Sequence, residues 1–212
     1  MSFADLVGGD AQQARTRIFG VVTGVVTNNQ DPEGLGRVRV VFPWLADSDE
    51  SWWARIAVPM AGPSMGTYFL PEIEDEVLVA FEQGDVRFPY VVGALWSKPV
   101  PPPADNADGE NNLRLIRSRA GHTILLDDTG GAEQVRVVAA GDVATITLDH
   151  EGNVKIEAEG DVAITAAGKL TLHGDGGVEI TSGADLEASA EAGASLTASG
   201  TLKLEGATVN IN

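Results

Sequence analysis

The chain has 212 residues, no cysteine, and 31 acidic against 14 basic side chains, for a formal charge of −17. A disulfide framework and a thiolate metal site are excluded, a charge of this sign opposes general binding to nucleic-acid phosphates, and no apolar run approaches the roughly 18 residues of a membrane span. Hydrophobic residues make up 43% of the chain, enough for one globular domain plus an elongated one.

Residues 1–16 form an N-terminal arm. The opening MSFADLVGGDAQQARTR lacks the basic start and apolar core of a signal peptide, which predicts synthesis and assembly in the cytoplasm. Residues 17–98 then alternate strand and turn signals with hardly any helical periodicity. Strands are predicted over Arg17 to Thr27, Gly36 to Phe42, Ser51 to Val58, Gly66 to Leu70, Glu76 to Glu82 and Pro89 to Trp96. Five or six short strands in about 80 residues fit a small Greek-key barrel of the OB type.

Within this barrel, Arg37 and Arg39 alternate with Val38 and Val40, so both arginines share one face of a strand, which meets a neighbouring subunit or a carboxylate. Trp52 and Trp53 are adjacent on a strand and point to opposite sides. One is expected in the core and the other as an interface anchor, the alternative being two partly covered surface aromatics. Glu72, Glu74, Asp75 and Glu76 read as a solvated turn.

Residues 99–112 are a linker. Pro99, Pro101, Pro102 and Pro103 predict a stiff extended spacer, followed by the polar, turn-rich stretch from Asp105 to Asn112. A joining segment, 113–140, leads into the region 141–212.

From Gly152 the chain repeats every eight residues without insertion or deletion: GNVKIEAE, GDVAITAA, GKLTLHGD, GGVEITSG, ADLEASAE, AGASLTAS, GTLKLEGA, then TVNIN. The octads open on Gly152, Gly160, Gly168, Gly176, Ala184, Ala192 and Gly200, and self-similarity of this kind implies a stacked or wound architecture. Large aliphatics fall at offsets two and four: Val154 and Ile156, Val162 and Ile164, Leu170 and Leu172, Val178 and Ile180, Leu202 and Leu204. Polar residues alternate with them. The period of two buries one face and wets the other.

Two aliphatic side chains per octad cannot offset the ordering of eight residues in an isolated strand. The apolar face must be closed by something else. Eight residues are too few for a full single-chain coil, and no Asn-Gly or Asp-Gly pair marks a hairpin between octads. The economical solution is a homotrimer, three chains each supplying one wall per octad of an intertwined triple-stranded β-helix, with Gly or Ala at the corners. An antiparallel meander or a single-chain parallel coil is the competing arrangement. Residues 141–212 contain 12 acidic and 3 basic side chains, so this needle is the acidic part of the chain. Near its end the pattern slips by one, to Val209 and Ile211, which read as an apolar tip.

The three histidines, His122, His150 and His173, lie in separate elements, and neither a Gly-x-Ser-x-Gly elbow nor a phosphate-binding loop is present. His173 sits at an outward offset of its octad. No catalytic residue, metal site or cofactor is assigned, and the chain is not expected to be an enzyme.

Several motifs in order carry a family resemblance: GVVTNNQDPEGLGRVRVVFPWL at Gly24 to Leu45, WWARIAVPMAG at Trp52 to Gly62, GTYFLPEIEDEVLVAFEQGD at Gly66 to Asp85, and RFPYVVGALWS at Arg87 to Ser97. Together they resemble the OB domain of phage baseplate assembly protein V and of the valine-glycine repeat (VgrG) spikes of contractile injection systems. SRAGHTILLDDTGG at Ser118 to Gly131 is similar to the neck of that family, which labels 113–140, and the octads resemble its needle. The resemblance implies an all-β central spike that docks on a baseplate hub through its OB domain, with Arg37, Arg39, Trp52 and Trp53 as hub or trimer contacts, and pierces the target envelope with the needle, touching the membrane transiently. It also implies a PAAR-type cap on the tip, assembly in the bacterial cytoplasm, and a place in a phage-tail-like particle or virion baseplate. Relatives that end in a His-x-His iron site do not transfer that site, since this chain ends Val209-Asn210-Ile211-Asn212. The alternative is an OB-fold protein for single-stranded nucleic acid or saccharide that carries a trimerisation stalk.

Overall fold

The computed structural model describes residues 17–45 and 49–210, so the arm at 1–16 and the tip residue Ile211 lie outside the described residues. Alternating apolar segments dictate the first sheet. Strands β1 (Val21–Asn28), β2 (Arg39–Val41), β3 (Arg55–Ile56), β6 (Glu76–Phe81) and β7 (Pro89–Leu95) hydrogen-bond in the order β2-β1-β6-β7-β3. All neighbours are antiparallel except β3 and β7, which run parallel. The ring is closed by a bridge between Val38 and Ala54, with Val38 N–H donating to Ala54 O at 3.0 Å and Ala54 N–H to Val38 O at 2.7 Å. This is the five-stranded Greek-key barrel that the strand count implied.

Every second residue of β6 points inward, placing Val77, Val79 and Phe81 in a core with Val26, Val38, Val40, Phe42, Ala54, Val86 and Val91. The Phe42 ring meets Phe81 at 5.7 Å between centroids, a tilted contact that fills the barrel centre. The strand expected over Gly66 to Leu70 does not join the ring. Instead β4 (Ala61–Gly62) and β5 (Met65–Gly66) make a short hairpin of their own. The linker also departs from a simple extended spacer, because Ser97 and Val100 exchange backbone hydrogen bonds of 3.0 and 3.1 Å in a tight turn at its start.

A second sheet follows. Strands β8 (Leu113–Arg117), β9 (Thr123–Asp127), β10 (Gln134–Val138), β11 (Ala144–Asp149) and β12 (Val154–Ala158) form an antiparallel meander in chain order. It runs straight through the boundary drawn at residue 140 and takes in the first octad, whose Val154–Ala158 is its last strand. Asp149 makes the last hairpin possible: its Oδ1 accepts from the Glu151 and Asn153 amides at 3.0 and 2.9 Å, and Gly152 takes a φ of 86° that a side chain would resist.

Residues 161–210 form a separate unit of extended segments without ladder partners among the described residues. Bends fall at 159–160, 167–168, 175–176, 183–184, 191–192 and 199–200. The interval is eight residues, and each bend includes the small residue that opens an octad.

Candidate functional site

Two surfaces emerge from these elements, one on the barrel and one on the meander. On the barrel, the loop before β2 is organised by Asp31. Its Oδ1 accepts from the Glu33 amide at 3.1 Å, and its Oδ2 from the Leu35 amide at 3.1 Å and the Arg37 amide at 3.4 Å. Gly34 and Gly36, at φ of 67° and 68°, let the loop curl around the carboxylate. Arg37 then closes the fork, donating Nε to Oδ2 at 2.8 Å and Nη2 to Oδ1 at 2.7 Å. The bidentate Arg37 guanidinium, helped by the backbone amides and opposed by burial, holds the Asp31 carboxyl well below the usual carboxylate range. The same contact raises Arg37.

Arg37 and Arg39 share a face, both over the Trp53 ring, while Val38 and Val40, which alternate with them, are fully buried. Their partner is a carboxylate in each case: Asp31 and Glu33 for Arg37, and Glu50 at 3.0 Å for Arg39. Both guanidiniums also lie over the Trp53 ring, at 5.9 and 4.9 Å from its centroid. Thus Trp53 is half-buried under cations, and the expectation that one tryptophan enters the core is corrected. The inward positions are Ser51 and Ala54, two exposed or half-exposed residues apart, because the chain bends at Trp52 and breaks strict alternation. Trp52 remains 55% exposed.

Beside these residues lies a groove of about 1220 Å³ lined by Leu35, Trp52, Met60, Met65, Tyr68 and Phe69, with Arg37, Arg55 and Arg87 among its polar groups. All six apolar side chains are more than half exposed. The β4–β5 hairpin supplies one wall, which the sequence reading missed when it drew a plain strand over 66–70. The mixture of methionine and aromatic residues from Met60 to Phe69 was the available signal. Near the groove, the Arg87 guanidinium lowers Asp85 to about 2.

On the meander, register builds two apolar rungs across the sheet. Ile116, Ile124, Val137, Ile146 and Ile156 stand side by side in one, and Leu126, Val135, Leu148 and Val154 in the next, bordered by Arg114. The opposite face is mixed: Arg117, Thr123, Val138, Thr145 and Glu157 stand in one row and Leu115, Leu125, Arg136, Thr147 and Lys155 in the next. The nine aliphatic residues are between 39% and 66% exposed in the chain, far more than a sheet leaves open without a covering layer.

The needle positions Val154 and Ile156 therefore belong to this face. Val162, Ile164, Leu170, Leu172, Val178, Ile180, Leu202, Leu204 and the tip residue Val209 are likewise exposed, by 49% to 67%. The rungs formed by β8 to β11 were missed at the sequence level: QVRVV and TITLD carry the alternation, but TILLD is apolar at three successive positions and does not mark its face. His122 lies in the β8–β9 turn, His150 in the β11–β12 turn and His173 among the octads. Among the described residues no three His, Cys, Asp or Glu side chains converge as metal ligands.

The family described as the type VI secretion system/phage-baseplate injector OB domain matches residues 22–96. The chain is similar to the type VI secretion system spike protein VgrG4b of Pseudomonas aeruginosa, 30% identical over 161 residues that cover 70% of this chain and 20% of that protein. It is similar to the type VI secretion system spike protein VgrG3 of Vibrio cholerae, 29% identical over 65% of this chain and 15% of that one. A third relative, the actin cross-linking toxin VgrG1 of Vibrio cholerae, is 25% identical over 66% of this chain and 14% of the toxin. This chain spans about a fifth or less of the length of these relatives.

Proposed function

Residues 22–96 belong to the injector OB-domain family and the chain is a relative of VgrG-type spike proteins; from that premise we propose that it is the homotrimeric central spike of a contractile tail-like particle. The observation that carries this reading is the apolar face left uncovered from Ile116 to Ile156, whose last strand, with Val154 and Ile156, is part of the first octad. Three copies of the meander with these rungs turned inward would make a closed prism. The octads would continue it as a triple-stranded β-helix, with a corner at each small residue. Its polar faces, rich in Thr, Glu and Lys, would meet water.

In this reading the barrels form a collar that docks on a baseplate hub through Arg37, Arg39, Trp52, Trp53 and the groove beside them. The work is mechanical. Sheath contraction drives the needle into the target envelope, and each chain is held by hydrogen bonds to the other two, so that peeling one away breaks many bonds together. The apolar tip at Val209 and Ile211 would take a PAAR-type cap. The particle would assemble in the bacterial cytoplasm. Actin cross-linking is the named property of one relative, of which this chain covers 14%, and no catalytic role is proposed here.

A second reading, a binding protein for saccharide or single-stranded nucleic acid on a trimeric stalk, draws on the exposed Trp52, Tyr68 and Phe69 of the groove. Native mass measurement of the full chain tests the first. Three times the 22.1 kDa chain mass is expected, and a monomer at micromolar concentration would overturn the spike. Salt-dependent oligonucleotide binding by the trimer would favour the second.

A further inference from the structure

Two turns at the same end of the meander are tied together by a side chain that the proposed function does not use. The β8–β9 turn is closed by Ser118 N–H donating to His122 O at 2.9 Å, Gly121 N–H to Ser118 O at 2.9 Å, and His122 N–H to Ser118 Oγ at 3.1 Å. This locks the backbone beneath the imidazole. The β10–β11 turn is closed by Asp142 N–H donating to Ala139 O at 3.0 Å, with Gly141 and Asp142 at φ of 77° and 59°. Between the turns, Ala140 N–H donates to His122 Nδ1 at 3.0 Å, a bond spanning 18 residues.

An N–H aimed at Nδ1 requires a lone pair there, which a neutral ring carrying its proton on Nε2 provides. Protonating the ring puts a second N–H against the Ala140 amide. The bond is lost and the amide is left without that acceptor. The same β8–β9 turn carries Arg119, whose Nη1 reaches Glu72 Oε1 of the barrel at 3.0 Å. His122 thus acts on a turn that also touches the barrel. The charged groups on the elements meeting here are Arg117 and Arg119 on its own turn, Asp142 on the opposing turn, and Glu72 from the barrel loop.

We propose that His122 is a protonation-sensitive latch that joins these two turns at the barrel end of the meander while its ring is neutral and releases them when the ring is protonated. A neutral imidazole can accept this amide and a protonated one cannot, which is what makes the joint sensitive to a proton. The inference does not depend on oligomeric state or on the hub, and its failure leaves the spike reading intact.

Nitrogen-15 NMR of the full chain, with labelled histidine and alanine, tests it. At pH 8 the His122 ring is expected as the Nε2–H tautomer. On acidification the Ala140 amide is expected to lose protection by about three- to tenfold, after correction for intrinsic exchange. His122→Asn supplies an acceptor that does not titrate and should hold Ala140 protection constant between pH 8 and 5. His122→Phe should show the low protection at both. An Nδ1–H tautomer at pH 8, pH-independent protection in the parent chain, or the same pH response in His122→Asn overturns the proposal.

Discussion

The barrel and the octad region solve the same problem in opposite ways. In the barrel, ten side chains are withdrawn from water by strands of one chain that close on themselves, and its arginines find carboxylates nearby. From Val154 onward the alternating aliphatics are as regular as any in the barrel, yet every one among the described residues is exposed in the chain. Burial in the barrel is a property of the chain. In the proposed trimer, burial of the octads would be a property of the assembly, so their stability should depend on concentration where that of the barrel does not.

The largest expected effect breaks the second half of that contrast. Ile146→Asp places a carboxylate at the centre of the inward rung, three times over in a trimer, and an unpaired buried charge is among the costliest changes available. The mass in solution should fall from three copies to one, with the barrel still folded by circular dichroism. Phe42→Ala does the reverse. Emptying the barrel centre should cost about 3–5 kcal/mol, lowering the barrel melting transition by roughly 4–8 °C per kcal/mol while the mass stays trimeric.

Acid separates the regions next. Asp31, Asp85 and Glu50 are all depressed, chiefly by hydrogen bonds from Arg37, Arg87 and Arg39. A depressed carboxyl contributes stability that is complete above its ordinary value, near 3.8 for Asp and 4.5 for Glu, and is lost as pH falls through the folded value. The barrel transition should therefore drop progressively from about pH 4.5 toward pH 2, where Asp85 titrates. Asp31→Asn should lower that transition at pH 7 and flatten its acid dependence, since an amide cannot hold both Arg37 contacts as a carboxylate does. Trp52→Ala is the smallest change for the fold, within about 0.5 kcal/mol because the ring is exposed. Its effect should appear instead as weaker capture of the barrel by a baseplate hub in a pull-down, which separates an anchor from an ordinary surface ring.

The particular residues show how much was legible. The octad corners were, since a small residue every eight positions coincides with each bend from 159–160 to 199–200. The inward faces of β2 and β6 were also legible, because a period of two acts within one strand. The tryptophan pair was not: a bend at Trp52 breaks the alternation, and Trp53 goes to the arginines of another strand instead of the core. The meander was partly hidden for a related reason. QVRVV and TITLD alternate as the octads do but do not repeat one another, and TILLD is apolar at three successive positions, so the sheet was divided at residue 140.

By itself, the sequence determined the all-β class, the small barrel, the acidic octads and the positions of their apolar side chains. All of these follow from local spacing and composition, which need no partner to be read. Only the tertiary structure decided that Val38 and Ala54 close the barrel, that Arg37 and Arg39 lie over Trp53, and that Ile116 through Ile156 line up as one rung across five strands. Each depends on the register between segments far apart in the chain, and a single-strand pattern specifies which face a residue takes without specifying what stands beside it.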